Sequence, residues 1–478
     1  MRRFRRTTFI TVFCLALLAG LGAARGIYFY PTVWLVLLTP LLVFLKKRSY
    51  TSLLIVLLLG FGIGLWRGGA YMRNVEQLKS LTARKVTIVA TATSDSVYGK
   101  RSQIQFTGGN IQMIYPYRGK LAGSFKLSGF GEQMIYRGDQ VRVSGKLFPS
   151  RGSNQAVIAY AQLTTLSHGG SPAYELTRRF DAGMQNALPE PQASFGLGLL
   201  IGQRTTMPAD VIAALTAVGL IHIVAVSGYN LTIIIRGIGR LKLGSKYQKL
   251  ILSLALIAGF VLVTGFSASI VRAALVSILS LWAWYYGRKI KPLVLITLAA
   301  AVTAFWSPFY IWGDIGWYLS FLAFFGVLVI SPIISARFFK KPPKLLTMVV
   351  IETLSAEIMT LPLILMTFSQ LSIVALVANA LIVPLVPLAM LLSAAAAGAG
   401  AIIPQFAGWL ALPARLLLTY MLDVVHMMSS IPSVLIHRSI SLGYMIAIYG
   451  IVLALLIVTY HKLPTIGEKP EETLQITP

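Results

Sequence analysis

The sequence predicts a polytopic α-helical membrane protein of about ten to twelve spans, with a small β-barrel of OB type inserted on the outer face. Three observations predict this fold class. Of the 478 residues, 56% are hydrophobic and 12% are charged, whereas a soluble domain has about 25% charged residues. Apolar runs long enough to cross a hydrocarbon core of about 30 Å recur along the chain. The interval 84–166 instead alternates polar and apolar residues, as half-buried strands do.

Three apolar segments predict transmembrane helices within residues 1–70. Basic residues precede the first segment, at positions 2–6, and separate the second from the third, at positions 46–48. Because loops rich in Lys and Arg stay on the cytoplasmic side, we expect a cytoplasmic N-terminus and an exit to the outer face near Arg67. Two further segments follow the first at once, which favours an uncleaved anchor over a signal peptide. The segments cover residues 8–24, 33–45 and 53–66.

Residues 84–166 are predicted to fold as a separate domain outside the membrane. Ile104 and Phe106 alternate with glutamines, and the pair Gly108-Gly109 that follows suggests a hairpin turn. Five or six such strands within about 80 residues favour a small barrel, with an OB-fold as the leading candidate.

The predicted outer domain is strongly basic. The interval 67–151 has 14 basic residues against four acidic ones, a net charge of +10, and the positive-inside rule gives no reason for this excess on the outer face. Aromatic residues lie between the charges, which suits single-stranded nucleic acid because bases stack on aromatic rings at about 1–3 kcal/mol each. A solvated basic surface near anionic lipid, with the rings inside the barrel, is the alternative. The candidate DNA-binding residues are Lys100, Arg101, Arg118, Lys120, Lys126, Arg142 and Lys146.

Residues 172–460 return to an apolar composition and predict a second, larger transmembrane domain, followed by a short cytoplasmic tail at 461–478. Three basic loops separate pairs of apolar segments, so the positive-inside rule places all three loops in the cytoplasm. The predicted protein is therefore a multi-pass protein of the cell membrane. The basic loops cover residues 236–249, 288–291 and 337–344.

Cysteine and histidine usage suggests no metal or disulfide site. Cys14 is the single cysteine and the five histidines lie far apart in the sequence, so we expect neither a metal nor a cofactor. Ser227 and His222 could suggest a hydrolase, but no G-x-S-x-G motif surrounds the serine, and we predict no catalytic residue. The sequence has no G-x-x-x-x-G-K-S/T motif, so movement of a polymer would need an ATP-driven partner.

Four motifs occur in the same order as in the ComEC family of competence proteins. Each motif is weak alone, but the ordered set, together with a barrel inserted after the first spans, makes nearly the whole chain resemble this family. The motifs are HIVAVSGYNL from His222, GFSASIVRA from Gly265, DIGWYLSF from Asp314, and a final segment that runs from Glu357 through LPL at 361–363 to NALIVPL at 379–385.

This resemblance implies an inner-membrane channel that carries single-stranded transforming DNA into the cytoplasm. It implies a DNA receptor outside and an ATP-driven translocase inside, and it leaves a homo-oligomer open. Two departures limit what carries over. Asn230 replaces the second histidine of the family's first motif, and the H-x-H-x-D-H motif of the metallo-β-lactamase-like domain of longer members does not occur in this sequence. If degradation of the other strand is required, a separately encoded nuclease would have to supply it.

Polar groups within the apolar segments are the candidate channel residues, because an ionised group at bilayer depth costs about 2.5–3.5 kcal/mol unless a partner or water satisfies it. Gly228 weakens a helix inside an apolar run, and a broken helix at membrane depth is tolerated where it lines a cavity. Buried ion pairs, and a close helix crossing at Gly228, are the structural alternatives. The candidate channel residues are His222, Ser227, Gly228, Tyr229, Asn230, Arg272, Asp314, Glu357 and Asn379.

Two other functions compete with DNA uptake. A transporter of small solutes or polymers would predict repeats between the halves of the bundle, and none is apparent. A membrane-anchored nuclease would act through the β domain, but the acidic residues of that domain, Asp95, Glu132 and Asp139, are thinly spread for a metal site.

Overall fold

The computed structural model describes residues 4–27, 49–98, 103–121, 123–132, 134–150, 154–169, 172–203, 206–224, 245–264, 268–288, 291–339, 341 and 343–461. The chain divides into two compact units. The first unit comprises Met1–Ser171 and Ile290–Tyr318, and the second comprises Pro172–Lys289 and Leu319–Pro478.

The described residues are mostly helical. They include a π-helical turn at Gly326–Ile330 and 3-10 turns at Val383–Leu385 and Pro404–Phe406. In chain order the helices are α1 Arg6–Ala23, α2 Tyr50–Lys79, α3 Pro172–Ala187, α4 Gln192–Ile201, α5 Ala209–Ala217, α6 Lys246–Thr264, α7 Ala268–Tyr285, α8 Pro292–Trp306, α9 Phe309–Gly313, α10 Ile315–Phe325, α11 Ser331–Phe338, α12 Leu345–Phe368, α13 Ala375–Ile382, α14 Val386–Ile402, α15 Ala407–Leu410, α16 Leu412–Ser429 and α17 Leu442–His461.

Six helical segments within the described ranges are long and apolar enough to cross a membrane, and a seventh arises if α15 and α16, bent by 53°, count as one span. This confirms a multi-pass membrane protein. The predicted span at 33–45 lies outside the described residues, and the total of ten to twelve stays a prediction. The six segments are Arg6–Ala23, Tyr50–Arg73, Ile315–Phe338, Thr347–Phe368, Ala375–Ile402 and Leu442–Thr459.

Helices α1 and α2 pack backbone against backbone through glycines. A Cβ at Gly60 would lie 2.6 Å from the carbonyl oxygen of Phe13. A Cβ at Gly64 would collide with the carbonyl oxygen of Leu17 and lie 2.8 Å from the nitrogen of Leu21. Small residues allow this approach in membranes, where van der Waals packing drives helix association. The glycines therefore set the spacing of this helix pair.

Arginine side chains attach the turn after α8 to the helix pair. Arg67 donates from Nε to the carbonyl oxygen of Phe305 and from Nη2 to that of Trp306, both over 2.9 Å. Arg25 donates from Nη1 to the carbonyl oxygen of Trp312 over 3.1 Å. The Trp312 indole in turn donates to the carbonyl oxygen of Leu21 over 3.0 Å. These bonds satisfy main-chain carbonyls that a helix end leaves without an intrahelical partner.

The first unit also holds one seven-stranded sheet, which supplies the strands expected between residues 84 and 166. The pair Gly108-Gly109 does not form the predicted turn, because β3 runs straight through it. A Cβ at Gly108 would lie 2.6 Å from Leu127 Cδ1 and 2.9 Å from Ala90 Cβ, so glycine allows neighbouring side chains to approach the strand. The strands are β1 Lys85–Ala92, β2 Val97–Tyr98, β3 Ile104–Tyr115, β4 Gly119–Leu121, β5 Phe125–Phe130, β6 Gln140–Pro149 and β7 Ala156–Ser167.

Strand pairing follows the path β1-β6-β7-β5-β3, and β3 also pairs with β1, so the path returns to its first strand. The β5–β7 pair is parallel, and the other pairs are antiparallel. The inward-facing residues of the five strands in this path form a single apolar core. The core side chains include Ile88, Phe106, Phe125, Leu127, Val143, Ile158 and Leu163.

The second unit is built around an apolar core that α3, α4, α5, α13, α14 and α16 share. Helices α3 and α14 meet closely, because a Cβ at Gly183 would collide with the carbonyl oxygen of Ala397 and lie 2.9 Å from the nitrogen of Ala401. A two-stranded antiparallel sheet connects the end of α12 to the segment before α17. Its strands are β8 Gln370–Ser372 and β9 Leu435–His437.

Candidate functional site

Basic side chains cover the exterior of the sheet. Lys126 lies on β5 and points away from the core, as do Arg142 and Lys146 on β6, because each alternates with buried neighbours. Arg118 and Lys120, beside and on β4, are exposed as well. The remaining two predicted DNA-binding residues, Lys100 and Arg101, lie outside the described residues. The described candidates are thus all available to a ligand in solution.

The aromatic residues of this domain divide between core and surface. Phe106 and Phe125 are buried, whereas Tyr115, Tyr117 and Tyr136 are exposed. Three further exposed rings, Phe130 on β5, Phe148 on β6 and Tyr160 on β7, did not appear among the sequence-based candidates. The alternation of β6 could have identified Phe148, which lies two residues from Lys146. Tyr160 could not be placed this way, since it lies at a break in the alternation.

The acidic side chains of the β domain hold its loops. Asp95 Oδ1 accepts from the nitrogen of Arg137 over 2.8 Å, and Glu132 Oε1 accepts from that of Thr165 over 2.7 Å. Asp139 is fully buried and accepts at both oxygens, from the nitrogens of Tyr136 and Gly169, over 2.9 and 3.0 Å. Within the described ranges, no group of three or more His, Cys, Asp or Glu side chains could hold a metal ion. These carboxylates therefore have a structural use that does not involve a metal.

A polar pair joins two apolar helices in the second unit. Asn379 of α13 donates from Nδ2 to Oε1 of Glu357 of α12 over 2.9 Å. The Asn379 side chain is only 3% exposed, and its Oδ1 atom has no hydrogen-bond partner in the part of the chain that the structure describes. Two of the predicted channel residues are therefore in contact. The Oδ1 atom of Asn379 remains able to accept a further hydrogen bond.

The turn that carries His222 packs against α13, the helix of Asn379. His222 donates from Nδ1 to the carbonyl oxygen of Gly219 over 3.0 Å. Gly219 has a φ of +77°, and a Cβ there would lie 3.0 Å from Ala375 Cβ, in the first turn of α13. Residues four apart share a helix face, so Asn379 lies one turn along from this contact. The other residues of the motif, Ser227, Gly228, Tyr229 and Asn230, lie outside the described residues.

The two remaining candidates have different surroundings. Arg272 lies on α7 in the second unit and is 3% exposed. Asp314 belongs to the first unit, where it is 6% exposed and accepts from the nitrogen of Trp317 over 3.1 Å. This bond gives the N–H of Trp317, in the first turn of α10, a side-chain acceptor, as an N-cap does. Asp314 therefore caps α10, and its place in a channel stays a prediction.

Comparisons with known proteins identify the family. The model of the family described as "Competence protein" matches residues 199–463, more than half of the chain. ComE operon protein 3 of Bacillus subtilis (strain 168) is 23% identical over 391 residues, which is 77% of this chain and 48% of that protein. The chain thus spans about half the length of the curated relative it matches. No solved structure matches the chain. The family model covers His222, Arg272, Asp314, Glu357 and Asn379, and the chain belongs to the competence protein family.

Proposed function

We propose that this protein is a channel of the cell membrane that takes single-stranded DNA into the cytoplasm during transformation. The observation that carries the proposal is the combination, in one competence-family chain, of a strongly basic β domain with a polar contact inside apolar helices. Transport of a small solute does not require a strongly basic β domain. A DNA receptor at the cell surface does not require a polar contact inside apolar helices.

The β domain fits an OB-fold that receives the strand. Counting only the strands in the returning path, β1, β3, β5, β6 and β7 are the first to fifth, and the third and fifth are the parallel pair. A five-stranded barrel of this kind binds oligonucleotides on its surface and loops. The exposed Arg118, Lys120, Lys126, Arg142 and Lys146 would neutralise phosphates, and Lys100 and Arg101 are proposed to join them.

The channel would pass beside α13. Glu357 and Asn379 present polar atoms among apolar helices. Polar side chains in such a place usually face a polar partner or water. The Oδ1 atom of Asn379, which has no hydrogen-bond partner among the described residues, can accept a hydrogen bond from water or from a base amino group. We include His222 to Asn230 and Arg272 in the same path. Asp314, because of its capping bond, has the weakest claim to it.

The proposed arrangement places the N-terminus in the cytoplasm, with helices at 1–70, the β domain at 84–166 outside, the channel domain at 172–460, and the tail at 461–478 inside. Passage then needs an external DNA receptor and a cytoplasmic ATP-driven translocase. Assembly of several copies is compatible with this scheme.

Deletion of the gene, with complementation by the full chain, tests the proposal. Labelled duplex DNA is added to competent cells, and the label bound at the surface is measured separately from the label protected from added nuclease. We expect deletion to abolish the protected label and the transformants while surface binding persists. Protected label at the wild-type level in the deletion strain would contradict the proposal. Loss of surface-bound label together with protected label would instead indicate a receptor.

A further inference from the structure

Two lysines oppose each other directly on the exterior of the sheet. Lys85 of β1 pairs with Lys146 of β6 in the antiparallel register, and both side chains are exposed. Such directly opposite side chains have Cβ atoms about 4.5–5.5 Å apart, and like charges in this arrangement are destabilising. Among the described residues, neither ammonium has a carboxylate within salt-bridge distance. The pair is therefore a local concentration of positive charge that the fold leaves uncompensated.

A strained tyrosine lies on the next strand. Lys146 pairs on its other side with Ala159 of β7, and the residue after Ala159 is Tyr160. Tyr160 has a φ of +53° and is 68% exposed. The left-handed conformation is unfavourable for a bulky side chain, and such strain persists where the surrounding structure enforces it. The backbone thus holds an aromatic ring in solvent beside the lysine pair.

Both neighbouring strands accommodate the bulge at Tyr160 with glycine. On β6, Gly145 faces it, and a Cβ there would lie 2.9 Å from Ala161 Cβ. On β5, Gly129 faces it, and a Cβ there would collide with the carbonyl oxygen of Ala161. Bulges re-aim side chains and are frequent beside functional sites. Three strands therefore cooperate in the placement of this ring.

We propose that Lys85, Lys146 and Tyr160 form a binding site for single-stranded DNA, in which the lysines hold adjacent phosphates and an unpaired base stacks on the tyrosine. The inference rests on the proposed function and names a site within it. Strands about 4.8 Å apart place Lys85 roughly 10 Å from Ala159 across three strands, so charge and ring lie within reach of neighbouring nucleotides. Phe148, exposed on the same face of β6 as Lys146, extends the site toward a second base.

Fixed ring geometry favours a nucleic acid over a lipid surface. Attraction of lysine to anionic headgroups depends on charge near the surface and needs no ring held by a strained backbone. Base stacking does need an exposed aromatic ring, because the flat face of the base must meet the flat face of the ring. The site lies on β1, β6 and β7, whereas Arg118 and Lys120 lie beside and on β4.

Binding of a fluorescent single-stranded oligonucleotide to the full chain, in nanodiscs of neutral phosphatidylcholine, tests the site. Asparagine tolerates positive φ, so Tyr160→Asn removes the ring and keeps the bulge. We expect it to weaken binding about tenfold, or about 1.4 kcal/mol, and Tyr160→Phe to bind like wild type. The Lys85→Gln/Lys146→Gln variant should reduce the slope of log affinity against log salt by about 1.4, since each charge accounts for about 0.7 on single strands.

Lys246→Gln and Tyr247→Asn, exposed residues of α6 outside the β domain, are the matched controls and should leave affinity and slope unchanged. The thermal midpoint of the double lysine variant should stay level or rise, because a repulsion is removed. Unchanged DNA affinity and salt slope in all site variants would overturn this inference while leaving the channel proposal intact. The inference also fails if the variants change only the attachment of the protein-loaded neutral nanodiscs to vesicles that contain anionic lipid. Wild-type protein that binds no single strand at low salt would overturn both proposals.

Discussion

Asn379 donates a hydrogen bond to Glu357 over 2.9 Å and thereby connects α13 to α12 through polar atoms. Asn379→Leu would leave the Glu357 carboxyl without this donor, and an unsatisfied buried polar group costs about 1–3 kcal/mol. We expect a lower thermal midpoint in detergent and a fall in protected DNA in cells. Glu357→Gln is the matched control for folding, because its amide oxygen can still accept from Asn379. A wild-type midpoint and wild-type uptake in Asn379→Leu would show that the contact is dispensable.

The glycine contacts between α1 and α2 predict sensitivity to a single methyl group. Gly64→Ala places a Cβ against the carbonyl oxygen of Leu17, so the helices must separate, and overpacking of this kind typically costs about 1–3 kcal/mol. The recovery of monodisperse protein after heating, measured by size-exclusion chromatography, should fall. Gly450→Ala in α17, where nothing lies within 4 Å, should behave like wild type. Equal recovery of the two variants would contradict the backbone contact.

The bidentate contact of Arg67 predicts that lysine cannot replace it. Arg67 donates to two successive carbonyl oxygens, and its guanidinium lies 5.9 Å from the ring centroid of Tyr71 and 5.7 Å from that of Phe305. Lysine lacks the planar fork needed to reach both acceptors. Arg67→Lys should therefore lower the thermal midpoint, at a cost of about 1–3 kcal/mol. Arg288→Lys, at an exposed position, is the control; a drop of equal size in both would rule out this geometry as the cause.

The buried carboxylate of Asp139 predicts a local effect on the β domain. Asp139→Asn turns one acceptor oxygen into an NH₂ group, which then faces a backbone N–H of Tyr136 or Gly169. One hydrogen bond is lost and two donors oppose each other, so we expect faster proteolysis within the β domain under native conditions. Asp210→Asn, exposed in the first turn of α5, should be cut at the wild-type rate. Protection equal to wild type in Asp139→Asn would contradict the role assigned to this carboxylate.

Composition and alternation predicted the membrane class and the presence of strands between residues 84 and 166, because both depend on local patterns. The prediction of a turn at Gly108-Gly109 was wrong, because the role of this pair depends on residues that are distant in the sequence. Glycine marks both turns and positions where another part of the chain approaches closely, and only the contacts with Leu127 and Ala90 distinguish the two. The capping role of Asp314 was missed in the same way, since a polar residue before an apolar run suits either a cap or a channel.

The Lys85–Lys146 pair and the ring of Tyr160 could not be predicted from the sequence. Their proximity depends on the register of β1 with β6 and on a bulge in β7. Strand pairing of this kind brings together residues that are far apart in the chain. Alternation gives the direction of a side chain within one strand, but not its neighbour across strands. The sequence predicted Glu357 and Asn379 separately as channel candidates. It could not predict that their side chains are in contact.

Photo-crosslinking of DNA in transit tests the channel most directly. Benzoylphenylalanine is placed at His222, in the family motif, and at Leu453 of α17, an exposed apolar position on a helix whose span has no buried side chain. Competent cells are irradiated during uptake of labelled DNA, and the label attached to the protein is measured. If DNA passes through the proposed channel, we expect labelled DNA to attach at residue 222 and none to attach at residue 453. Cells that take up DNA normally but attach no label at residue 222, or attach equal label at both, would contradict it.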